Sequence, residues 1–205
     1  GNTVIDALLM ARERITSYNS ALTKSLEKEI LSYQNVILVT GHRRENHGQG
    51  FNDICTALRR IALDFSNSLI IYPVHLNPKV LNPVKSLLSD ISNIKLISPL
   101  NYPDFIWLMN KASLIITDSG GVQEEAPSLG KPVLVLREKT ERPEAVEAGT
   151  VKLVGTDPDI IYSATKSLLE NEQEYLEMSS KINPYGDGHA CSRIVNHLLE
   201  EGADG

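Results

Sequence analysis

Six short runs of β-branched and aliphatic residues recur along the chain, and they limit the possible folds more than any other feature of the sequence. They lie at residues 35–40, 68–74, 93–97, 113–117, 132–136 and 150–154. Each run has the length of a strand and is mostly apolar, with little polar alternation. This pattern is typical of parallel strands that are buried on both faces of a sheet.

Helix-patterned segments separate the six runs, at residues 50–65, 78–89, 102–111, 120–130 and 142–148. Parallel strands need crossover connections of this length, and those connections are usually helices. The alternation therefore predicts an α/β fold with a doubly wound, six-stranded parallel sheet of the Rossmann-like kind. Further helical patterns lie outside the sheet, at residues 3–17, 20–32, 157–180 and 189–200.

No repeat, low-complexity tract or linker divides the chain, so we expect residues 1–205 to form one domain, with 1–33 as a helical lead-in and 189–200 as a C-terminal helix. The net charge of -6 and the lack of a basic stripe argue against a nucleic-acid partner. No apolar run approaches the roughly 18 residues of a membrane span, and no secretory signal is present, so a cytoplasmic location is expected. Cys55 and Cys191 lack the C-x-x-C spacing of a zinc or dithiol site, and no metal is predicted.

The loops after the strands hold an unusual concentration of polar residues. The first loop, "GHRRENHGQG" at 41–50, contains two histidines, two arginines, a glutamate and three glycines. His75 follows the second strand, Leu100 and Phe105 follow the third, and Arg142 follows the fifth. Ligands of open α/β sheets bind outside the carboxyl ends of the strands. These loops are therefore predicted to form one site.

The fourth loop, "TDSGGVQEEAPSLG" at 117–130, places two glycines at the start of a predicted helix. Glycine is a poor helix former, disfavoured by about 1 kcal/mol relative to alanine at an interior position, so Gly120 and Gly121 suggest close approach of an anion such as phosphate. Glu124 and Glu125 follow, and the commoner reason for such acids is to complement the helix dipole. Neither the GxGxxG fingerprint nor a Walker motif occurs, which disfavours classical NAD binding and P-loop phosphoryl transfer.

A nucleotide diphosphate matches this set of groups. Backbone amides and arginines suit its phosphates, a carboxylate suits the ribose diol, and an aromatic ring suits the base. Other interpretations stay open for single residues: "HRREN" could be a solvated loop, His75 could satisfy backbone groups at a strand end, and Phe105 could belong to the core. The combination favours a nucleotide-sugar ligand.

The motifs "GHRREN", "YPVHLNP", "LIITDSGGVQEEAPSLGKPVLVLREKTERPEAVEAGTVKLVGTD" and "NPYGDGHACSRI" resemble the C-terminal half of the non-hydrolysing bacterial UDP-N-acetylglucosamine 2-epimerases. The resemblance covers essentially the whole chain. It implies a GT-B architecture of two Rossmann-like domains with the active site between them. It also implies interconversion of UDP-GlcNAc and UDP-ManNAc, a precursor of surface polysaccharides, without a metal or nicotinamide cofactor.

The resemblance implies roles for two groups of residues. His42 is implied to be catalytic, close to the diphosphate and the sugar. The positions implied to bind UDP are Leu100 and Phe105 at the uracil, Ser119, Gly120, Gly121 and Arg142 at the phosphates, and Glu125 at the ribose. In bacterial relatives a second UDP-GlcNAc acts as an activator, and it touches the positions that match Arg43, Glu45 and His75.

The expected partners are UDP, a UDP-N-acetylhexosamine and the N-terminal domain of the family pattern, which has no counterpart in this sequence. A homodimer is expected when both domains are present. We therefore expect this chain to bind UDP weakly and to lack epimerase activity by itself. Two alternatives remain from the sequence: a stand-alone UDP-sugar binding or regulatory module, and a domain of a GT-B glycosyltransferase. The coding sequence upstream would distinguish a module from half of an epimerase.

Overall fold

A parallel β-sheet forms the centre of the computed structural model, which describes residues 1–15 and 18–203, the last three by their backbone only. Within this part of the chain the sheet has six strands: β1 (Asn35–Thr40), β2 (Ser68–Pro73), β3 (Ile94–Ile97), β4 (Leu114–Thr117), β5 (Val133–Val135) and β6 (Val151–Leu153). Their spatial order is β3-β2-β1-β4-β5-β6, and every neighbouring pair is parallel. The predicted doubly wound sheet is confirmed.

Helices cover both faces of the sheet. They are α1 (Thr3–Arg14), α2 (Ala21–Ile30), α3 (Gln49–Asp64), α4 (Pro78–Leu88), α5 (Tyr102–Lys111), α6 (Gly120–Glu125), α7 (Pro143–Glu147), α8 (Pro158–Glu170), α9 (Glu172–Ser179) and α10 (Ala190–Ala203). Helices α3, α4 and α8 pack on one face, whereas α1, α2, α5, α6 and α7 pack on the other. Short polar residues start several of them; Ser20, for example, forms a capping box with Thr23 at the start of α2.

The core consists of two apolar layers, one on each side of the sheet. Successive strand residues point to opposite faces, and in β1 Ile37 and Val39 pack towards α3 whereas Val36 and Leu38 pack towards α1 and α5. All four side chains are almost completely buried. The lack of polar alternation in the sequence is therefore explained by burial on both faces.

Two predicted helices differ from the observed ones. The segment predicted at 157–180 is two helices, because Asn171 leaves the helical conformation and its side chain accepts the backbone N–H groups of Gln173 and Glu174 to start α9. The segment predicted at 120–130 is α6 followed by a 3₁₀ turn that ends at Gly130, whose φ of 65° suits glycine. The last two residues of the helix predicted at 3–17 lie outside the described residues.

The chain reverses its direction of winding between β1 and β4. It proceeds outward from β1 to β2 and β3, then returns to place β4 on the other side of β1. Thr40 and Thr117 are paired in register at the carboxyl ends of these two strands, and their hydroxyl oxygens lie 2.6 Å apart. This is the topological switch point, where doubly wound folds bind ligands.

Candidate functional site

A cavity of about 280 Å³ opens at the switch point. Loops after four strands and the start of α6 form its wall. The lining residues are Thr40, Gly41, His42, Pro73, His75, Pro99, Leu100, Tyr102, Phe105, Ser119, Gly121, Val122 and Glu125. The structure thus brings together His42, His75 and most of the residues predicted to contact UDP. Gly120, Arg142, Arg43 and Glu45 lie outside this lining.

One wall of the cavity is apolar. Leu100 and Phe105 are half-buried, and each packs against the core layer below while also lining the cavity. Phe105 therefore satisfies the core interpretation and still presents part of its ring to a ligand. A flat aromatic group is the kind of ligand that such a wall accommodates.

Glu125 lies beside this wall and forms a hydrogen bond with a residue that the sequence did not single out. The Tyr102 hydroxyl donates to Glu125 Oε1 at 2.7 Å. Burial raises the pKa of Glu125, partly offset by this hydrogen bond, and the nearby charge of Glu124 raises it further. The pKa of Tyr102 is also raised, first by burial and then by its bond to Glu125.

The first residues of α6 face the cavity and two arginines. Ser119 precedes the helix, but its hydroxyl makes no capping hydrogen bond to the backbone. A methyl group built on Gly120 would lie 3.7 Å from Arg43 Nη2 and 3.8 Å from Arg142 Nη2, so both guanidinium groups flank the helix start. One built on Gly121 would meet only Ser119 Oγ, at 3.9 Å. Because neither glycine has a positive φ, the backbone conformation does not require glycine at either position.

Glu124 holds Arg142 next to this helix start. Its carboxylate forms an ion pair with Arg142 Nε and accepts a hydrogen bond of 2.8 Å from Asn2 Nδ2. The hydrogen bond to Glu124 raises the pKa of Arg142. Glu124 and Glu125 lie in the last turn of α6, so the interpretation that they complement the dipole from the first turn is wrong.

Asp118 fixes the loop that carries His42, and sequence reasoning gave it no role. This fully buried carboxylate accepts the backbone N–H groups of His42, at 2.9 Å, and Arg43, at 2.8 Å, on Oδ2. Asn46 Nδ2 lies 3.4 Å from the same oxygen and donates to Leu136 O at 3.2 Å. An acid directly after a buried strand was the available signal, since ligand-side polar residues of this fold occur there.

Two histidines stack at the mouth of the cavity. The rings of His42 and His75 lie 5.7 Å apart with an interplanar angle of 18°. His75 Nδ1 accepts the backbone N–H of Asn77 at 3.1 Å. The alternative that His75 satisfies a backbone group near the end of a strand is therefore also correct. His42 is about half exposed. Both rings can therefore meet a bound ligand.

Glu45 has a different environment. Its Oε1 lies 2.7 Å from Nε of the buried Arg137, which also donates to Glu141 at 3.2 Å. The hydrogen bond to Arg137 lowers the pKa of Glu141. The three residues that the resemblance groups at an activator site are thus divided between the cavity (His75), the start of α6 (Arg43) and the Arg137 ion pair (Glu45).

In the described part of the chain, no cluster of three or more His, Cys, Asp or Glu side chains is placed to hold a metal ion. No described helix is both long and apolar enough to cross a membrane.

The fold and the position of the cavity define a Rossmann-like α/β protein of the class that binds its ligand at the topological switch point. The sequence profile described as UDP-N-acetylglucosamine 2-epimerase matches residues 1–199. The chain belongs to the UDP-N-acetylglucosamine 2-epimerase family. The family predicted from the motifs is thereby confirmed.

Known relatives agree with this assignment. The UDP-N-acetylglucosamine 2-epimerase of Campylobacter jejuni is 56% identical over 205 residues, which are 98% of this chain and 54% of that protein. The crystal structure of UDP-GlcNAc 2-epimerase from Neisseria meningitidis bound to UDP-GlcNAc has a TM-score of 0.88 and 47% identity over 98% of this chain and 54% of that one. A co-structure of S. aureus MnaA with UDP has a TM-score of 0.88 and 45% identity, covering 97% of this chain and 52% of that one. The chain therefore spans about half the length of the relatives it matches.

Proposed function

We propose that this chain is the UDP-binding half of an enzyme that interconverts UDP-GlcNAc and UDP-ManNAc. The observation that carries the proposal is the cavity at the switch point, which combines an apolar wall, a buried carboxylate and a glycine-rich helix start in a chain of this family. The relatives from N. meningitidis and S. aureus bind UDP-GlcNAc and UDP, respectively. Residues 1–205 would act as one binding unit.

The lining residues suggest how UDP lies. Leu100 and Phe105 would flank the uracil, and Glu125 would accept hydrogen bonds from the ribose hydroxyls beside Tyr102. The diphosphate would lie at the start of α6, where Ser119 and Gly121 line the cavity and the guanidinium groups of Arg43 and Arg142 flank Gly120 on the outer side. Each part of the nucleotide then meets a group of matching chemistry.

The reaction that the family resemblance implies is an elimination followed by an addition. The C2 proton leaves the sugar while the C1–oxygen bond breaks and UDP departs, which gives 2-acetamidoglucal. UDP then adds back to C1, and a proton returns to the other face of C2. Groups at the helix start would stabilise the departing diphosphate, and His42 would lie near both the diphosphate and the sugar.

Acid and base groups on both faces of C2 require more than this chain supplies, and we propose that they come from an N-terminal domain as in the longer relatives. The exposed surface of α10 supports such a partner. Of its described side chains only Ala190 is buried. The apolar side chains exposed on this helix are Ile194, Val195, Leu198 and Leu199. A contiguous apolar face of this kind is typical of an interaction surface.

Further parts of the proposal concern assembly and location. We propose a homodimer for the two-domain protein, and a cytoplasmic location, because the exposed thiol of Cys191 is unpaired and suits a reducing compartment. We also propose that Arg43, Glu45 and His75 can contact a second UDP-GlcNAc. Light scattering on the two-domain protein tests the dimer.

Calorimetric titration of UDP into this chain tests the binding site. We expect weak but measurable binding, and we expect Glu125→Gln to weaken it by about 1–3 kcal/mol because a charged acceptor for the ribose diol is lost. Asp53→Asn, on α3 and outside the lining of the cavity, is a control that should leave the UDP affinity unchanged. Unchanged affinity in Glu125→Gln would remove Glu125 from the proposed ribose site.

A further inference from the structure

The two oxygens of the Asp118 carboxylate differ in their hydrogen-bond partners. Oδ2 accepts the two backbone N–H groups of His42 and Arg43, but buried Oδ1 has no hydrogen-bond partner among the described residues. The residue is 0% exposed, so bulk water does not reach it. A buried carboxylate oxygen without a donor is destabilising, and native structures rarely leave one.

The His42 ring can supply the missing hydrogen-bond donor to Asp118 Oδ1. His42 Nδ1 is 3.5 Å from Asp118 Oδ1, and the two residues are already joined through the His42 backbone. An ionised carboxylate only accepts hydrogen bonds. The nitrogen that faces it must therefore carry the proton, and a small rotation of the ring brings the pair to hydrogen-bond distance.

His75 is in the opposite situation. Its Nδ1 lies 3.1 Å from the backbone nitrogen of Asn77, which can only donate. In the neutral ring, Nδ1 of His75 must therefore be the bare nitrogen and Nε2 must carry the proton. The two stacked histidines thus have backbone or carboxylate partners that impose different protonation sites.

We propose that Asp118 is a positioning residue that keeps the proton of neutral His42 on Nδ1, so that the paired histidines at the cavity hold opposite tautomers. His42 then presents the lone pair of Nε2 to the cavity, and His75 presents an N–H donor. The tautomers follow from the geometry alone. Their use in the reaction rests on the proposed function.

The consequence for the proposed reaction is a division of roles between the two rings. His42 Nε2 is the atom that can accept a proton, and Asp118 stabilises the imidazolium that forms, as an acid behind a histidine does in hydrolytic triads. His75 cannot take a proton at Nε2 in its neutral form, so it acts as a hydrogen-bond donor to an oxygen of the ligand. A pair of identical side chains thereby supplies one acceptor and one donor.

Nitrogen NMR of the chain itself tests the tautomers. Long-range proton–nitrogen correlation spectra of the ¹⁵N-labelled protein at about pH 8.5, where imidazoles are neutral, distinguish protonated from bare ring nitrogens. The spectra of His42→Gln and His75→Gln assign the two sets of signals. We expect a protonated Nδ1 for His42 and a protonated Nε2 for His75. A protonated Nε2 on His42 in the wild type would overturn the proposal.

The Asp118→Asn variant tests the role of the carboxylate directly, because it replaces one carboxylate oxygen with an NH₂ group and keeps the shape of the side chain. The amide oxygen can still accept the two backbone N–H groups, which places the NH₂ group where Oδ1 was. This donor faces His42 Nδ1, so we expect His42 to switch to the Nε2-protonated tautomer while His75, the internal control, keeps its own. An unchanged His42 tautomer in the folded variant would also overturn the proposal.

The wild-type spectrum decides the matter even when Asp118→Asn fails to fold. The experiment is independent of the proposed function, since it uses no nucleotide. A chain with the expected tautomers that shows no heat of UDP binding contradicts the proposed function and leaves the role of Asp118 intact. A chain that binds UDP but carries the His42 proton on Nε2 supports the proposed function and overturns the role of Asp118.

Discussion

Burial makes the ionised form of Glu125 costly in the unliganded protein. Burial raises the pKa of its carboxyl, so the folded protein holds the proton more tightly than the unfolded chain does. The stability that this group contributes is thus fully present at low pH and is lost as the pH rises through the folded pKa. In the proposed ribose site, a contact between Glu125 and the ligand offsets this loss of stability.

Glu125→Gln is therefore expected to stabilise the unliganded chain above neutral pH. The neutral amide avoids the cost of burying a charge, and its oxygen can still accept from Tyr102. Urea unfolding at pH 8 should give a higher free energy of unfolding for the variant than for the wild type. The difference should become smallest at about pH 3, below the unfolded pKa, where Glu125 is protonated in both states. A difference that is the same at both pH values would contradict the expectation.

Glu144→Gln is the matched control, with the opposite sign. The pKa of Glu144 is lowered by a hydrogen bond to its own backbone N–H and by the Tyr185 hydroxyl, which donates at 3.0 Å. Its contribution is present above the unfolded pKa and is lost as the pH falls through the folded one. This variant should be slightly less stable than the wild type at pH 8 and equal to it at low pH.

The sequence singled out residues whose chemistry is local. Gly121 stood out because glycine is costly in a helix, and the structure places both Gly121 and Glu125 in the lining of the cavity. Asp118 and Tyr102 did not stand out, because their roles depend on partners 75 and 23 residues away, the backbone N–H of Arg43 and the carboxylate of Glu125. No spacing rule within one segment reports such contacts.

At the scale of elements, the first turn of α6 lines the cavity. Gly121 occupies its second position, has no positive φ, and faces the cavity with open space around the missing methyl group. Alanine would therefore fit the unliganded protein. The glycine keeps the backbone accessible to whatever occupies the cavity.

Gly121→Ala should therefore stabilise the unliganded chain and weaken UDP binding. We expect a gain of about 0.4–1 kcal/mol in the free energy of unfolding, since alanine favours the helix and narrows the unfolded ensemble. The added methyl group would occupy space in the cavity, so the UDP affinity measured by calorimetry should fall at least tenfold.

Gly50→Ala is the control for this variant. Gly50 is the second residue of α3, and a methyl group there would meet Thr156 Cγ2 at 3.5 Å, an ordinary contact outside the cavity. It should give a similar gain in stability with unchanged UDP affinity. Equal loss of affinity in both variants would show that helix stability, and not access to the cavity, controls binding.

Elements were predictable where the pattern of the sequence is dominated by burial. The six apolar runs predicted the strands because β1 to β6 lie between two helical layers. The division of 157–180 into α8 and α9 was not predicted, because Asn171 ends one helix and caps the next without a glycine or proline.

At the scale of the whole molecule, α10 is a helix whose apolar side chains the rest of the described chain leaves exposed. It makes contacts near its start, where the carboxylate of Asp6 accepts the backbone N–H groups of Ala190 and Cys191. Beyond that point every described side chain is exposed. A helix with this much apolar surface in water is stabilised when a partner covers it. In the two-domain proposal, that partner is the N-terminal domain.

Leu198→Glu tests this role of α10, with Leu63→Glu as a control of equal exposure. Leu198 is 61% exposed on α10, and Leu63 is 62% exposed on α3. Because neither side chain is buried in this chain, both variants should change its free energy of unfolding by no more than about 0.5 kcal/mol. When the chain is fused to the N-terminal half of the C. jejuni relative, Leu198→Glu should lower the rate of UDP-ManNAc formation about tenfold or more, since burying a leucine is worth about 1.5–3 kcal/mol.

The same assay should show no turnover for the 205-residue chain alone, and Leu63→Glu should behave as the unmodified fusion does. Epimerisation by the chain alone would refute the need for a second domain. Equal effects of the two glutamates would remove α10 from the interface.

The remaining possibility, that α10 joins two copies of this chain, predicts that the isolated chain is a dimer by light scattering and that Leu198→Glu makes it a monomer. The two-domain proposal instead predicts that the isolated wild-type chain and the variant have the same mass.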